Sequence, residues 1–181
     1  MRRLLWLVPA AVVAGVAAWI FLATPNTVER FRYPLRYKAI VRGHARNYHL
    51  NPALLAAVIE VESKFRPDAK SSSGAIGLMQ ILPSTAHGIA LHTGGSGFRT
   101  EDLYNPEINV RYGSWYLRHL LDKYDDDERT ALAAYNAGQD NVDRWLASGS
   151  GIRYAETRAY VDRVEKLKGI YRNVWGHQLA L

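Results

Sequence analysis

The sequence contains no cysteine, which excludes a disulfide framework, a thiol nucleophile and cysteine ligation of a metal. The six histidines do not have the spacing of a zinc site, and the chain contains no glycine-rich phosphate-binding loop. No G-x-S-x-G element marks a serine nucleophile, although Ser96 lies among glycines. We therefore expect no metal, no nucleotide and no other cofactor.

Clusters of basic residues are also lacking. The formal net charge is +6, and Arg2 and Arg3 account for two of these charges. The other basic residues are scattered along the chain, which argues against nucleic acid as a partner. A mild basic excess suits an anionic polymer or a membrane surface better.

One acidic run, Asp125 to Glu128, invites comparison with a calcium-binding loop. The run lacks the glycine and the distant bidentate glutamate that such a loop needs. Acidic side chains ahead of a helix complement its dipole and can cap it. We therefore expect this run to start a helix over about 129–136 rather than to bind a metal.

The chain has one long hydrophobic run, which covers residues 4–23 without a charge. A helix of that length is about 30 Å long, the thickness of a bilayer core. Val16-Ala17-Ala18 offers a signal-peptide cleavage site, but the apolar run continues beyond it. We predict a retained signal anchor, a transmembrane helix over 1–23, with its two arginines on the cytoplasmic side and the remaining chain across the membrane. A cleaved, secreted form is the alternative.

The rest of the chain is predicted to form a polar linker over 24–33 and one domain over 34–181. Apolar residues recur at spacings of three and four along most of this domain, which predicts a mainly α fold. The predicted helices cover approximately 37–48, 51–65, 107–124, 129–136, a segment capped by Asp140, and 156–174. The glycines at 94, 95 and 97 favour a flexible surface loop over 87–100.

The helix that begins after Asn51 carries two glutamates near its end. Asn51 can cap the helix, and Val58 belongs to an apolar stripe along one face. Glu62 lies four residues after Val58, so its carboxyl emerges beside that stripe, whereas Glu60 points away. We expect Glu62 to be partly desolvated, with a pKa raised into the range of a proton donor near neutral pH. The alternative is a boundary residue whose carboxylate lies in water.

A stretch of small residues, Ser71 to Gly77, follows this helix and leads into the apolar run Leu78 to Leu82. The glycines of the stretch permit unusual dihedrals and the close approach of another backbone or a ligand. Gln80 is a polar amide within the apolar run, where burial without a partner is costly. Gln80 therefore either forms hydrogen bonds in the core or faces a ligand.

The helix predicted over 107–124 is apolar on most of its circumference and belongs in the middle of the domain. Its polar stripe consists of Arg111, Ser114, Arg118 and Asp122. The short alanine-rich helix that follows ends at Gly138. Tyr135 and Asn136 arrive at its end, where they either face a cleft or form a satisfied pair in the core.

Four motifs follow one another in the domain. They are Glu62-Ser63, G-A-x-G-L-M-Q at 74–80 with Pro83 to Ala86, A-Y-N-A-G at 134–138, and Glu156-Thr157 with Tyr160-Val161. Their order and spacing resemble the motifs of the soluble lytic transglycosylase family, over about 34–174. The resemblance implies a lysozyme-like, mainly helical catalytic domain that cleaves the glycan strands of peptidoglycan.

The resemblance also implies roles for the matching residues. Glu62 would protonate the oxygen that links N-acetylmuramic acid to N-acetylglucosamine, and would then take the proton of the muramic C6 hydroxyl as that oxygen attacks C1. The product would carry a 1,6-anhydromuramoyl end. The remaining matches would hold sugar substituents (Ser63, Gln80, Asn136), form the cleft wall near Glu62 (Met79, Tyr135) or support that wall (Glu156).

Two other functions stay open at this point. A hydrolase of the same bond needs a positioned water and a second carboxylate, for which Asp68, Glu101 and Asp102 are the candidates. A non-catalytic wall-binding module predicts that Glu62→Gln has no effect in the cell. We expect a monomer that binds peptidoglycan strands, with its catalytic domain on the periplasmic or extracellular side of the membrane.

Overall fold

The computed structural model describes residues 12–16, 19, 26–93, 95 and 97–181. The chain divides into two compact units, Met1–Pro34 and Leu35–Leu181. In the first unit, helix α1 covers Thr27–Arg32. The segment predicted as a linker over 24–33 is therefore helical over these residues. Glu29 in the first turn and Arg32 in the last turn complement the dipole of this short helix.

The predicted signal anchor lies largely outside the described residues, which include only 12–16 and 19 of the run over 4–23. In the part of the chain that is described, no helix reaches the length and apolarity needed to cross a membrane. The anchor therefore stays a prediction.

Seven α-helices and one 3-10 helix make up the described part of the second unit. They are α2 (Lys38–Asn47), α3 (Pro52–Ser63), α4 (Pro83–Thr93), the 3-10 helix Thr100–Tyr104, α5 (Pro106–Lys123), α6 (Glu128–Ala137), α7 (Gln139–Ala147) and α8 (Ala155–Leu179). Among the described residues, β pairing is limited to isolated bridges that join Lys70 to Ile76 and Ile76 to Ile81. The mainly α prediction is confirmed.

Capping residues set the starts of several helices. The Asn51 side chain accepts from two backbone N–H groups of α3 at 2.9 and 3.3 Å, and Asp127 accepts from one N–H of α6 at 3.2 Å. Both caps agree with the sequence prediction. The predicted cap of α7 by Asp140 is wrong, because Asp140 lies inside the first turn and Gly138 is the cap. Gly138 also ends α6, as predicted, with a φ of 85°.

Helix α4 occupies part of the segment predicted as a loop over 87–100. Pro83 begins the helix. Ala86, Ile89 and Ala90 are buried along one face. The loop prediction is wrong for 87–93 because the apolar spacing of three and four continues past Ala86, ahead of the glycines.

Helices α3 and α8 form the most extensive helix–helix contact in the described domain. Helix α3 is buried from Ala53 to Ile59. Just after its end, the Phe65 ring packs 6.2 Å from the Tyr171 ring of α8. This contact fixes the carboxyl-terminal end of α3, where Glu62 lies, against the middle of α8.

Helix α5 packs against α2, α4 and α6, which agrees with its predicted central position. Ser114 of α5 is fully buried. Its hydroxyl has no hydrogen-bond partner in the described part of the chain. The predicted polar stripe is therefore wrong at Ser114, because the neighbouring helices cover that side of α5.

Candidate active site

Glu62 lies in the last turn of α3. Leu55 and Val58, on the preceding turns of the same face, are fully buried, as the apolar stripe predicts. Burial disfavours the charged carboxylate and raises the pKa of Glu62 to about 7. The alternative of a carboxylate that lies in water is therefore wrong. A carboxyl with this pKa can both donate and accept a proton near neutral pH.

Tyr160 of α8 is the hydrogen-bond partner of Glu62. Its hydroxyl donates to Oε1 of Glu62 at 2.7 Å. This bond favours the carboxylate and lowers the pKa of Glu62, against the larger effect of burial. Tyr160 is 6% exposed. The helical spacing in the sequence places Tyr160 among core residues, so the sequence does not predict its hydrogen bond to Glu62. The one sequence signal that relates Tyr160 to the active site is its place in the fourth motif.

The loop between α3 and α4 turns back on itself near the site. Gly77 has a φ of 83° and Gln80 a φ of 49°, both in the left-handed region. A Cβ at Gly77 would lie 2.2 Å from Nδ2 of Asn109, so the close approach of the loop to α5 requires glycine. The unusual dihedrals predicted for this stretch therefore allow the loop to pack against α5.

Ser63 joins this loop to the end of α3. Its hydroxyl donates to the carbonyl of Leu78 at 2.8 Å. Ser63 is 3% exposed. The structure thus gives Ser63 a contact that holds the loop, and sugar binding by Ser63 stays a prediction.

Asn109 of α5 holds the same loop from the other side. Its Oδ1 accepts from the N–H of Met79 at 2.7 Å, and its Nδ2 donates to the carbonyls of Ile76 and Leu103, each at 2.8 Å. Asn109 is fully buried. Asn109 was not among the predicted site residues, although an amide between Ile108 and Val110 in a mostly apolar helix is a signal of buried hydrogen-bond partners.

The Tyr135 side chain contacts the backbone of Met79. The Tyr135 hydroxyl donates to the carbonyl of Met79 at 2.9 Å. The Met79 side chain is fully buried. It packs so closely on Gly113 of α5 that a Cβ there would lie 2.3 Å from the Met79 sulfur. Met79 therefore supports the cleft wall from behind, and Tyr135 forms its accessible part.

A pocket of about 260 Å³ opens between the loop and the end of α6. Its lining residues are Gln80, Ile81, Leu82, Thr85, Tyr116, Tyr135, Asn136, Ala137 and Gly138. Nε2 of Gln80 donates to the carbonyls of Ala69 and Gly77 at 3.1 and 2.9 Å. These bonds fix the amide at the pocket and leave its oxygen as an acceptor. Gln80 thus forms hydrogen bonds within the protein and also lines the pocket, and its contact with a ligand stays a prediction.

Asn136 is exposed at the pocket and connects it to α8. Its Oδ1 accepts from the hydroxyl of Thr157 at 2.9 Å, and Thr157 lies on α8, three residues before Tyr160. Glu156 is exposed in the first turn of α8. Within the described residues, no hydrogen bond or salt bridge joins Glu156 to the other predicted site residues. The structure brings Asn136 into the site and leaves Glu156 outside its lining.

Tyr135 lines the pocket and is close enough to Glu62 to be affected by its charge. Burial and the negative charge of Glu62 both raise the pKa of Tyr135 well above its usual value. The pocket lining itself includes neither Glu62 nor any other carboxylate. Glu62 thus lies next to a pocket whose wall is polar but uncharged.

Of the three residues considered as a second catalytic carboxylate, one accepts a backbone hydrogen bond and two are exposed. Asp102 accepts from the backbone N–H of Arg99 at 2.8 Å, and Asp68 and Glu101 are exposed. No carboxylate is among the groups that shift the pKa of Glu62. In the described part of the chain, no three His, Asp or Glu side chains come together as metal ligands. The arrangement can therefore perform proton transfer by one carboxyl group.

The order of these residues agrees with a known family. The family model described as "Transglycosylase SLT domain" matches residues 39–156. The chain belongs to this family. The motifs that carry Glu62, Gln80 and Asn136 all fall within the matched residues.

Two relatives are longer proteins that match this chain over part of their length. The soluble lytic murein transglycosylase of Salmonella typhimurium is 32% identical over 161 residues, which cover 83% of this chain and 25% of that protein. The membrane-bound lytic murein transglycosylase C of Actinobacillus pleuropneumoniae is 34% identical over 150 residues, 76% of this chain and 39% of that protein. The chain thus spans between a quarter and two fifths of the length of these relatives.

Solved structures agree with the SLT assignment. The crystal structure of the 70 kDa soluble lytic transglycosylase from Escherichia coli matches with a TM-score of 0.77 and 30% identity, over 83% of this chain and 26% of that chain. An inactive mutant of the lytic transglycosylase Slt from Pseudomonas aeruginosa matches with a TM-score of 0.76 and 30% identity, over 92% of this chain and 30% of that chain. The predicted lysozyme-like helical fold is confirmed.

Proposed function

We propose that the chain is a lytic transglycosylase of peptidoglycan. It would cleave the β-1,4 bond between N-acetylmuramic acid and N-acetylglucosamine and leave a 1,6-anhydromuramoyl end. The names of the relatives, lytic murein transglycosylases, support the substrate class. The observation that carries the proposal is the Glu62 carboxyl, whose pKa is raised by burial to about 7 at the end of α3.

Glu62 acts first as the acid and then as the base in this proposal. The protonated carboxyl gives its proton to the glycosidic oxygen, and the C1–O bond breaks. The acetamido group of the muramic residue stabilises the positive charge at C1. The carboxylate then takes the proton of the C6 hydroxyl as that oxygen bonds to C1. Glu62 ends protonated, and no water is consumed.

The surroundings of Glu62 support a single carboxyl group over a pair. Hydrolysis by two carboxylates needs the second group across the cleft. The pocket lining contains no Asp or Glu. The Tyr160 hydroxyl, which donates to Oε1 of Glu62 at 2.7 Å, leaves the other carboxyl oxygen for the substrate proton.

The pocket residues fit the substituents of N-acetyl sugars. The Gln80 oxygen offers an acceptor and the Asn136 amide offers donors, which match the N–H and C=O of acetamido groups. Tyr135 forms the wall near Glu62, and burial and the charge of Glu62 raise the pKa of Tyr135. We assign supporting roles to Ser63 and Met79 through their contacts with the loop and α5. Glu156 would act only by supporting the start of α8.

We further propose that residues 1–23 anchor the protein in the membrane, with 24–33 as a connection and 34–181 as a monomeric catalytic domain. The charge-free run over 4–23 supports the anchor. Similarity to a membrane-bound lytic murein transglycosylase C is consistent with it. The catalytic domain would then lie on the periplasmic or extracellular side, where peptidoglycan is found.

The test of the activity is mass spectrometry of purified peptidoglycan after digestion by the full chain. We expect products with anhydromuramoyl ends from the wild type and none from Glu62→Gln, which keeps the shape of the side chain and removes its proton. Glu60→Gln on the same helix is the matched control and should retain cleavage. Cleavage by Glu62→Gln at the wild-type rate would exclude Glu62 as the acid, and no products from the wild type would favour a wall-binding module.

A further inference from the structure

A cavity of about 270 Å³ lies between the carboxyl-terminal ends of α2 and α4 and the first half of α5. Its lining residues are Tyr48, Thr93, Gly95, Arg111 and Tyr112. The pocket near Glu62 shares none of these residues. We call this space the Arg111 cavity. An adjoining cavity of about 250 Å³ lies on the other side of Arg111 and Tyr112.

Of the residues that line the Arg111 cavity, only Arg111 is charged. Arg111 is exposed on α5, and within the described part of the chain its guanidinium forms no hydrogen bond or ion pair. Two nearby carboxylates are bound elsewhere. Glu107, one turn earlier on α5, accepts from Nε2 of His44 at 2.8 Å, and Asp102 of the adjoining cavity accepts from the N–H of Arg99 at 2.8 Å. The donors of Arg111 are therefore available to an anion.

Tyr112 presents a buried hydroxyl to the same space. The residue is 2% exposed, and it lines both cavities. Its ring is held between Phe98, whose ring centroid lies 5.3 Å away, and the Arg111 guanidinium, 5.3 Å from the ring centroid. Among the described residues, the Tyr112 hydroxyl has no hydrogen-bond partner. Because a buried polar group without a partner is costly, this hydroxyl points to a polar ligand in the cavity.

Tyr48 brings a second hydroxyl to the Arg111 cavity. Its ring stacks on the buried His44 ring, with centroids 6.1 Å apart and an interplanar angle of 26°. Burial raises the pKa of Tyr48, Arg111 lowers it and Tyr112 raises it. These three side chains are thus close enough to affect one another's charge. Since its pKa lies above its usual value, the Tyr48 hydroxyl keeps its proton near neutral pH and can donate it to a ligand.

The chemistry of the lining suits a carboxylate with an amide N–H beside it. One guanidinium matches the single charge of a carboxylate and can bind both of its oxygens, whereas a phosphate group carries nearly two charges. Thr93 adds an acceptor, because its hydroxyl donates to the carbonyl of Ile89 at 2.9 Å and leaves its lone pairs for a ligand. A carboxylate next to an amide N–H is the carboxyl end of a peptide.

We propose that the Arg111 cavity binds the carboxyl end of a peptide. Arg111, Tyr48 and Tyr112 hold the carboxylate, and Thr93 accepts from the N–H of the last residue. A volume of about 270 Å³ suits one terminal residue and its acyl group. Protein chains, which end in an L-residue, and cell-wall peptides that end in D-alanine share this chemistry. Only the second source would rest on the proposed function.

The experiment is a titration of N-acetylalanine into the full chain, followed by the NMR signals of the ligand. We expect saturable binding with a Kd on the order of 1 mM. N-acetylalaninamide, which lacks the carboxylate, should bind at least tenfold more weakly, and propionate, which lacks the amide, about fivefold more weakly. The D and L forms are titrated separately, and the tighter one identifies the source of the peptide.

Substitutions test the contacts. Arg111→Gln should weaken binding of N-acetylalanine at least tenfold, and Tyr112→Phe, which keeps the ring, about fivefold. Arg46→Gln is the matched control, because Arg46 is exposed on α2 and lies outside the lining. It removes the same charge and should bind as the wild type does.

Four results would overturn the proposal: no saturable binding, equal affinity for N-acetylalanine and its amide, equal affinity for N-acetylalanine and propionate, or a loss in Arg46→Gln as large as in Arg111→Gln. Glu62 takes no part in this site. Failure of the titration therefore leaves the proposed reaction standing, and an inactive wild type that binds N-acetylalanine would leave the Arg111 cavity standing.

Discussion

Removal of the Tyr160 hydroxyl should move the pH dependence of cleavage in a known direction. The Tyr160 bond to Glu62, 2.7 Å long, favours the carboxylate and so lowers its pKa. Tyr160→Phe keeps the ring between α3 and α8 but removes this bond, and the pKa of Glu62 should rise. A hydrogen bond to a charged group is stronger than one to a neutral group by about 1 kcal/mol, which corresponds to a shift of about one pH unit.

The assay is kcat/KM for release of anhydro products as a function of pH. Because the first step needs protonated Glu62, wild-type kcat/KM should fall as the pH rises through about 7. In Tyr160→Phe this fall should lie about one pH unit higher, with a lower maximum because the carboxyl is less well oriented.

Tyr171→Phe is the matched control for this prediction. Tyr171 also lies on α8, and its hydroxyl contacts the other glutamate of α3, Glu60, at 3.4 Å. Its profile should retain the wild-type midpoint. An unchanged or lower midpoint in Tyr160→Phe, or an equal shift in Tyr171→Phe, would show that the Tyr160 bond does not set the pKa of Glu62.

Three stability predictions follow from the same structure, each measured by urea denaturation. The pKa of folded Glu62 is about 7, above its usual 4.5, so its contribution to stability is present below pH 4.5 and is lost as the pH rises through 7. The free energy of unfolding of Glu62→Gln should therefore rise relative to that of wild type by up to about 3 kcal/mol across this window. A difference that stays constant with pH would contradict this prediction. Asn109→Ala leaves one N–H and two carbonyls buried without a partner and should cost about 4 kcal/mol; a loss below about 1 kcal/mol would show that the loop finds other partners. Gly113→Ala forces a Cβ to 2.3 Å from the Met79 sulfur and should cost about 2 kcal/mol, whereas Gly169→Ala, which meets nothing within 4 Å, should be neutral or stabilising.

Local features of the chain were predictable because their causes are local. The cap at Asn51 and the desolvation of Glu62 both follow from helical geometry over a few turns, and both are observed. The end of α6 at Gly138 follows in the same way from one glycine. These predictions needed no knowledge of which helices meet.

Long-range contacts were not predictable from spacing alone. Tyr160 reaches Glu62 across 98 residues, and Asn109 reaches Met79 across 30. In each case a polar group lies on a helix face that packs against another element, so the pattern of apolar residues classes it with the core. Only the packing of α8 on α3, and of α5 on the loop, identifies the partner.

The resemblance named the candidate site residues as a group but did not separate their positions. Gln80, Tyr135 and Asn136 line one pocket, whereas Ser63 and Met79 lie buried behind it. Glu156 is exposed on α8. A motif records that a residue belongs near the site, and burial decides whether its side chain is available to a ligand.

The central claim, that Glu62 alone drives an intramolecular reaction without water, is tested most directly by digestion of peptidoglycan in water enriched in oxygen-18. The mechanism closes the anhydro ring with the C6 oxygen of the sugar itself, so the new ends should contain no oxygen-18 by mass spectrometry. Incorporation of one oxygen-18 atom at each new reducing end would contradict the account, because it would show that water is the nucleophile and that a second group activates it.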